Sequence, residues 1–79
     1  MGDQKAAKVL DVKGLPCPMP VVKVSQEIGT IGVGEILEVH ATDPGSLSDF
    51  PAWAQTSGNE IVETDQADDM IRFFVKRLK

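Results

Sequence analysis

The chain has 79 residues, 42% of them apolar and 25% charged, and a formal net charge of -4. That length supports a single small domain over residues 1–79 with one core, and the composition excludes both a disordered and a membrane-spanning class. The acidic balance argues against stable nucleic-acid binding, which draws on basic side chains to neutralise phosphates, although Arg72, Lys76, Arg77 and Lys79 form a local basic cluster.

No apolar run is long enough to cross a bilayer, and the polar Met1–Lys5 start has no apolar stretch behind it, so the sequence predicts a cytoplasmic protein without membrane association. Its one cysteine, Cys17, can form neither an internal disulfide nor a dithiol redox pair. One Cys and one His do not make a zinc site, and the sequence implies no metal and no cofactor.

In chain order, Val9, Leu10 and Val12 predict a strand over Lys8–Val12, ended by Lys13-Gly14. The segment Gly14-Leu15-Pro16-Cys17-Pro18-Met19-Pro20 then frames the cysteine with prolines. Val21, Val24, Ile28 and Ile31 follow at spacings of three and four, predicting an amphipathic helix that starts immediately after Cys17. Pro18 and Pro20 fit its first turn, where N–H groups have no helical partner to lose.

Glu35–Ala41 alternates as a half-buried strand, with Leu37, Val39 and Ala41 on one side and Ile36, Glu38 and His40 on the other. His40 is expected to be exposed. Thr42-Asp43-Pro44-Gly45 is a turn, and Ser46 or Ser48 can cap a second helix with Leu47, Phe50, Trp53 and Ala54 as its apolar positions. Pro51 belongs in a first turn, which places the start of this helix near Ser48 or Asp49, and Gly58 can end it.

Glu60–Thr64 reads as a third strand, Asp65–Asp69 as an acidic turn and Met70–Leu78 as a fourth strand, in which Ile71, Phe73 and Val75 share a face. The order is βαβαββ: an α+β two-layer sandwich with a four-stranded mixed sheet and two helices on one face. The fourth strand is expected at a sheet edge, where its Arg and Lys residues discourage edge pairing.

Cys17 is the candidate catalytic residue. A thiolate, not a thiol, is nucleophilic, and a helix start lowers a thiol pKa. Because prolines remove N–H donors at 18 and 20, the depression is expected to be modest. Free cysteine is also among the most buried residue types, but a proline-framed loop entering a helix favours a sulfur that projects outward. Gly14, Pro18 and Pro20 shape the turn; Lys13 and Lys23 could add positive potential; Asp43 and Asp49 suit turn formation and capping.

The string Asp11-x-x-Gly14-Leu15-x-Cys17-Pro18-x-Pro20 resembles the signature of the TusA, or SirA-like, family of small sulfur-carrier proteins. Asp43-Pro44, Asp49-Phe50-Pro51 with Trp53, and the basic final strand resemble the family pattern too, so the similarity spans nearly the whole chain. Family members commonly place an acidic or polar residue between the two prolines, where this chain has Met19.

The resemblance implies a sulfurtransferase of βαβαββ fold that carries sulfane sulfur as a persulfide on Cys17. It implies as partners a sulfur-donor protein (a cysteine desulfurase or rhodanese-like protein) and a sulfur-acceptor protein, serving tRNA thiolation, cofactor assembly or sulfur oxidation. The alternative reading is a non-catalytic interaction or regulatory module whose proline-framed turn is a docking surface.

Overall fold

The structure is a computed structural model, described here for residues 6–16 and 19–79. It contains β1 (Ala6–Asp11), α1 (Met19–Glu27) continued by a 3-10 turn (Ile28–Thr30), β2 (Ile36–Ala41), α2 (Ser46–Ser57), β3 (Glu60–Ala67) and β4 (Met70–Lys76). The four strands form one mixed sheet in the order β1-β2-β4-β3. β1 runs parallel to β2, and β4 is antiparallel to both β2 and β3. With both helices packed on one face, this is the predicted two-layer α+β sandwich.

The core follows from two periodicities meeting. Val24 and Ile28 from the first helical segment and Phe50 and Ala54 from α2 bury their apolar stripe against Leu37, Val39 and Ala41 of β2 and Ile71, Phe73 and Val75 of β4. Both strands alternate, so their other residues are delivered to the opposite face. Phe50 and Phe73 meet edge to face, with centroids 4.5 Å apart and planes at 72°, the arrangement that ring quadrupoles favour. Trp53 is half-buried and packs against this cluster.

Several boundaries differ from the sequence expectations. β1 begins at Ala6 and stops at Asp11; Val12 lies past it yet is buried, its N–H donating to the His40 carbonyl at 2.9 Å. α2 starts at Ser46, not near Ser48 or Asp49, so Pro51 lies inside the helix and not in its first turn. The reason is local: Ser46, Leu47 and Ser48 donate to carbonyls three residues back, and the four-back pattern begins only at Asp49. Neither serine caps the helix; Gly45 occupies that position, and Leu47 is exposed.

The predicted acidic turn is mostly strand. β3 continues through Asp65 and Gln66 to Ala67, and only Asp68 and Asp69 separate it from β4, with Asp68 left-handed at φ 54°. Asp65 is held in the ladder by Arg72, whose Nη2 donates to Oδ2 at 2.6 Å. β4 lies inside the sheet and not at its edge. Its charged positions therefore decorate the open face, where Phe74, 7% exposed, is registered against Glu38 and Glu63 and flanked along the strand by Arg72 and Lys76. Long polar side chains cover an aromatic ring in this way with their aliphatic stems. At the end of α2, Gly58 takes the left-handed conformation (φ 81°) and returns its N–H to the Ala54 carbonyl.

On the surface, Lys8 of β1 bridges to the 3-10 turn and α1, donating to Glu27 Oε1 at 2.6 Å and to Thr30 Oγ1 at 3.1 Å. The hydrogen bond and charge of Lys8 hold the Glu27 carboxyl below its ordinary 4.5. A carboxylate depressed in the folded state contributes stability that is present above its unfolded pKa and lost as pH falls through the folded one. Acid titration followed by circular dichroism should therefore show a shallower loss of stability below about pH 4.5 in Lys8→Met than in the parent.

Candidate functional site

Because β1 and β2 are parallel, the loops that leave them emerge at the same edge of the sheet, with Asp11 registered against His40. Carboxyl edges of parallel strands are where α/β folds place their sites. Here residues 12–18 follow β1 and lead to α1, and Thr42–Gly45 follow β2 and lead to α2.

Local hydrogen bonds shape the first loop. Asp11 Oδ1 accepts the Lys13 N–H at 3.0 Å, and the Val12 carbonyl accepts the Leu15 N–H at 3.2 Å. Gly14 sits between them at φ 81°, a left-handed conformation that a side chain resists. Nothing lies within 4 Å of where its Cβ would be, so the requirement for glycine is conformational and not spatial. Its N–H donates to Thr42 Oγ1 at 3.0 Å across 28 residues, fastening the cysteine-bearing loop to the loop after β2.

On either side of Cys17 the chain is anchored. Leu15 packs against the core, the Pro16 carbonyl accepts the Met19 N–H at 2.9 Å, and Pro20 is fully buried in the first turn of α1. Cys17 and Pro18 themselves lie outside the described residues, and with them the expectations of a projecting sulfur and a modestly lowered thiol pKa. Met19 and Val22, three residues apart on α1, each expose 40% of their surface beside this segment.

In the second loop, Asp43 does the turn-forming work expected of it. Its Oδ1 accepts the Gly45 N–H at 3.1 Å, and its carbonyl accepts the Ser46 N–H at 3.0 Å. Lys13 and Lys23 are exposed.

His40 departs from the expectation of exposure. Its side chain is 21% exposed, and Nε2 lies 2.6 Å from Glu38 Oε2 on the sheet face away from the helices. Arg72 adds a second contact to Glu38 at 4.0 Å while holding Asp65, and that carboxylate raises the guanidinium pKa further above its usual value. The chain's one imidazole is thus engaged with a carboxylate on the open face, whereas Leu15 and Pro20, which bracket the cysteine, pack into the helical layer. Among the described residues, no group of three or more His, Cys, Asp or Glu is arranged to hold a metal ion. No helix is long and apolar enough to cross a membrane.

One residue of this edge, Thr42, was read from the sequence only as part of a turn; a tie across 28 residues has no local sequence signal.

A two-layer βαβαββ sandwich whose one cysteine falls in sequence between Leu15 and Pro20, both packed at the carboxyl edge of its parallel strands, is a small domain with a single thiol. The family described as "Sulfurtransferase TusA" matches residues 8–77, and the chain belongs to that family. A sulfur carrier relative in Halobacterium salinarum is 47% identical over 78 residues, covering 98% of this chain and 96% of its own. The "Sulfur carrier protein TusA" of Allochromatium vinosum is 38% identical over 68 residues, covering 86% of this chain and 90% of that protein. The Bacillus subtilis relative YrkF is 45% identical over 73 residues, and there this chain spans only 40% of the longer protein. Among solved structures, the SirA-like protein of Desulfitobacterium hafniense superposes with a TM-score of 0.78 over 91% of this chain and 99% of that one, at 20% identity, a likeness of fold.

Proposed function

We propose that this protein is a sulfurtransferase that carries sulfane sulfur on Cys17, receiving it from a donor protein such as a cysteine desulfurase or rhodanese-like protein and passing it to a cysteine of an acceptor protein. In the loading step the Cys17 thiolate attacks the terminal sulfur of a donor persulfide; the new S–S bond forms as the donor's S–S bond breaks and its thiolate leaves. Unloading is the mirror step: an acceptor thiolate attacks the outer sulfur, and Cys17 departs as thiolate. One sulfur atom moves each time, with no net oxidation and no cofactor.

The observation that carries this reading is the coincidence of the chain's sole cysteine with the Gly14–Pro20 segment, anchored at Gly14, Pro16 and Pro20 at the carboxyl edge, within a family of sulfur transfer. In it, Gly14, Pro18 and Pro20 shape the turn, Lys13 and Lys23 supply positive potential toward an anionic sulfur, Asp43 fixes the adjoining loop, and Met19 and Val22 offer apolar contact to the partner. The work is cytoplasmic, in the compartment where an unpaired thiol stays reduced, and feeds tRNA thiolation, cofactor assembly or sulfur oxidation.

Intact-mass spectrometry after incubation with a protein persulfide, polysulfide or thiosulfate is expected to show a gain of one sulfur atom on Cys17, reversed by reductant. Protein that stays unmodified under all three donors overturns the proposal.

A further inference from the structure

β1 and β2 pair in parallel as far as Asp11 and His40, and one more backbone bond follows, from the Val12 N–H to the His40 carbonyl at 2.9 Å. A parallel ladder advances by two residues on each strand between bonds of this kind, so the next donor is Gly14 and the next acceptor belongs to Thr42. The Gly14 N–H does go to Thr42, at 3.0 Å, but to the side-chain oxygen Oγ1. The threonine hydroxyl thus takes the place of a backbone rung just past the end of the sheet, where both segments turn away toward their helices.

This tie differs from the others in the loop. The Lys13 N–H is held by Asp11 two residues back and the Leu15 N–H by Val12 three back, so those bonds shape the turn but travel with it. Leu15 also packs on the core, yet apolar contact is non-directional and sets depth more than orientation. Gly14 has the least to keep it in place. Its φ of 81° is one that glycine enters and leaves at little cost, and nothing lies within 4 Å of where a Cβ would be. The Thr42 hydroxyl therefore fixes the turn against β2, three residues before Cys17.

Resting on the reading of Cys17 as the sulfur-bearing residue, we propose that Thr42 is a positioning residue for sulfur transfer between proteins. Its hydroxyl carries the β1–β2 register into the cysteine loop, so that a partner protein meets that loop in one reproducible geometry. Thr42 makes no bond to sulfur and exchanges no proton with it; it acts through Gly14. Misplacement by about 1 Å can slow a step that depends on alignment by about 100-fold. A small donor has no surface to match and reaches a thiol along whatever path is open.

The test times sulfur uptake by the full chain, by intact mass, from inorganic polysulfide and from two protein persulfides, a thiosulfate-loaded rhodanese and a cysteine desulfurase supplied with cysteine. The parent is compared with Thr42→Val, which keeps the shape and removes the acceptor, and with Thr42→Ser, which keeps the acceptor. In Thr42→Val, uptake from a protein donor should fall about tenfold or more, while polysulfide uptake and alkylation by iodoacetamide stay within about twofold of the parent. Serine should restore the protein-donor rate. Amide hydrogen exchange at Gly14 should quicken in the valine variant and return in the serine one. Thr64→Val, which changes an exposed threonine on β3, should behave as the parent. Circular dichroism gives the folded fraction, and Thr42→Ala removes the same acceptor should the valine variant not fold.

A Thr42→Val chain that loads from the protein donor at the parent rate overturns the proposal, as does one slowed equally with every donor, which marks a structural hydroxyl. Unchanged exchange at Gly14 overturns it too. A parent loaded by polysulfide but by neither protein removes the partner geometry on which it rests. A parent that gains sulfur from none of the three overturns the relay itself, an outcome distinct from loss of the Thr42 effect alone.

Discussion

Cys17→Ser is expected to fold as the parent does and to take up no sulfur at all. Serine differs by one atom, but oxygen forms no stable bond to sulfane sulfur, and a hydroxyl is not appreciably ionised near neutral pH, whereas a thiol of ordinary pKa about 8.5 already is. No second cysteine exists to substitute, so the loss is complete and not graded. The measurement is the mass gain after donor incubation together with transfer of labelled sulfur to an acceptor thiol, and circular dichroism checks the fold. A serine variant that binds its partner with full biological activity would instead favour an interaction module whose proline-framed turn is the working surface.

Much of the fold was legible because strands and helices here announce themselves by different periods. Leu37, Val39 and Ala41 alternate against Ile36, Glu38 and His40, and all three of the first set are buried, as read. Val24, Ile28 and Ile31 were read from spacings of three and four, and they too are core. The errors cluster where tertiary pairing overrides local preference. Asp65 and Gln66 look like turn residues, yet the ladder with β4 extends through them because Arg72 compensates the carboxylate across the strands. The position of β4 had no local signal: its alternation shows two faces but not which strand lies beside it, and only the antiparallel register with β2 reveals a central strand.

The site was legible in part. Cys17 and its prolines stand out in one dimension, and Gly14 was placed in the turn that its left-handed backbone now explains. What joins that segment to the rest of the edge was not visible, since Thr42 becomes a neighbour of the loop only through parallel pairing of β1 and β2. Proline rules misled at α2. They place Pro51 in a first turn, but a start built on three-back hydrogen bonds lets the helix begin at Ser46, and that makes Ser46 an inward position instead of a cap. His40 was misjudged for a related reason: an open sheet face leaves a histidine only 21% exposed when a glutamate two residues away turns toward it.

Phe50→Ala should be the most damaging single core change. The ring is fully buried and meets Phe73 edge to face, so truncation loses transfer energy, leaves a cavity between α2 and β4, and forfeits an aromatic pair, together about 3–5 kcal/mol. A domain of 79 residues has a total stability of roughly 4–12 kcal/mol, so the variant retains at most about three quarters of it, and at the lower bound does not fold. Urea unfolding should show a midpoint far below the parent's with an unchanged slope. A double substitution with Phe73→Ala should cost less than the sum of the singles, because the pair contact can be lost only once. A loss below about 1 kcal/mol would show that the α2–β4 contact is not the centre of the core. Since Phe50 is sealed in the core, sulfur uptake by Phe50→Ala should track the folded fraction and recover when urea-free samples are cooled toward the temperature of maximum stability. Uptake that stays low in fully folded Phe50→Ala would instead mean that α2 packing sets the geometry of the sulfur site directly.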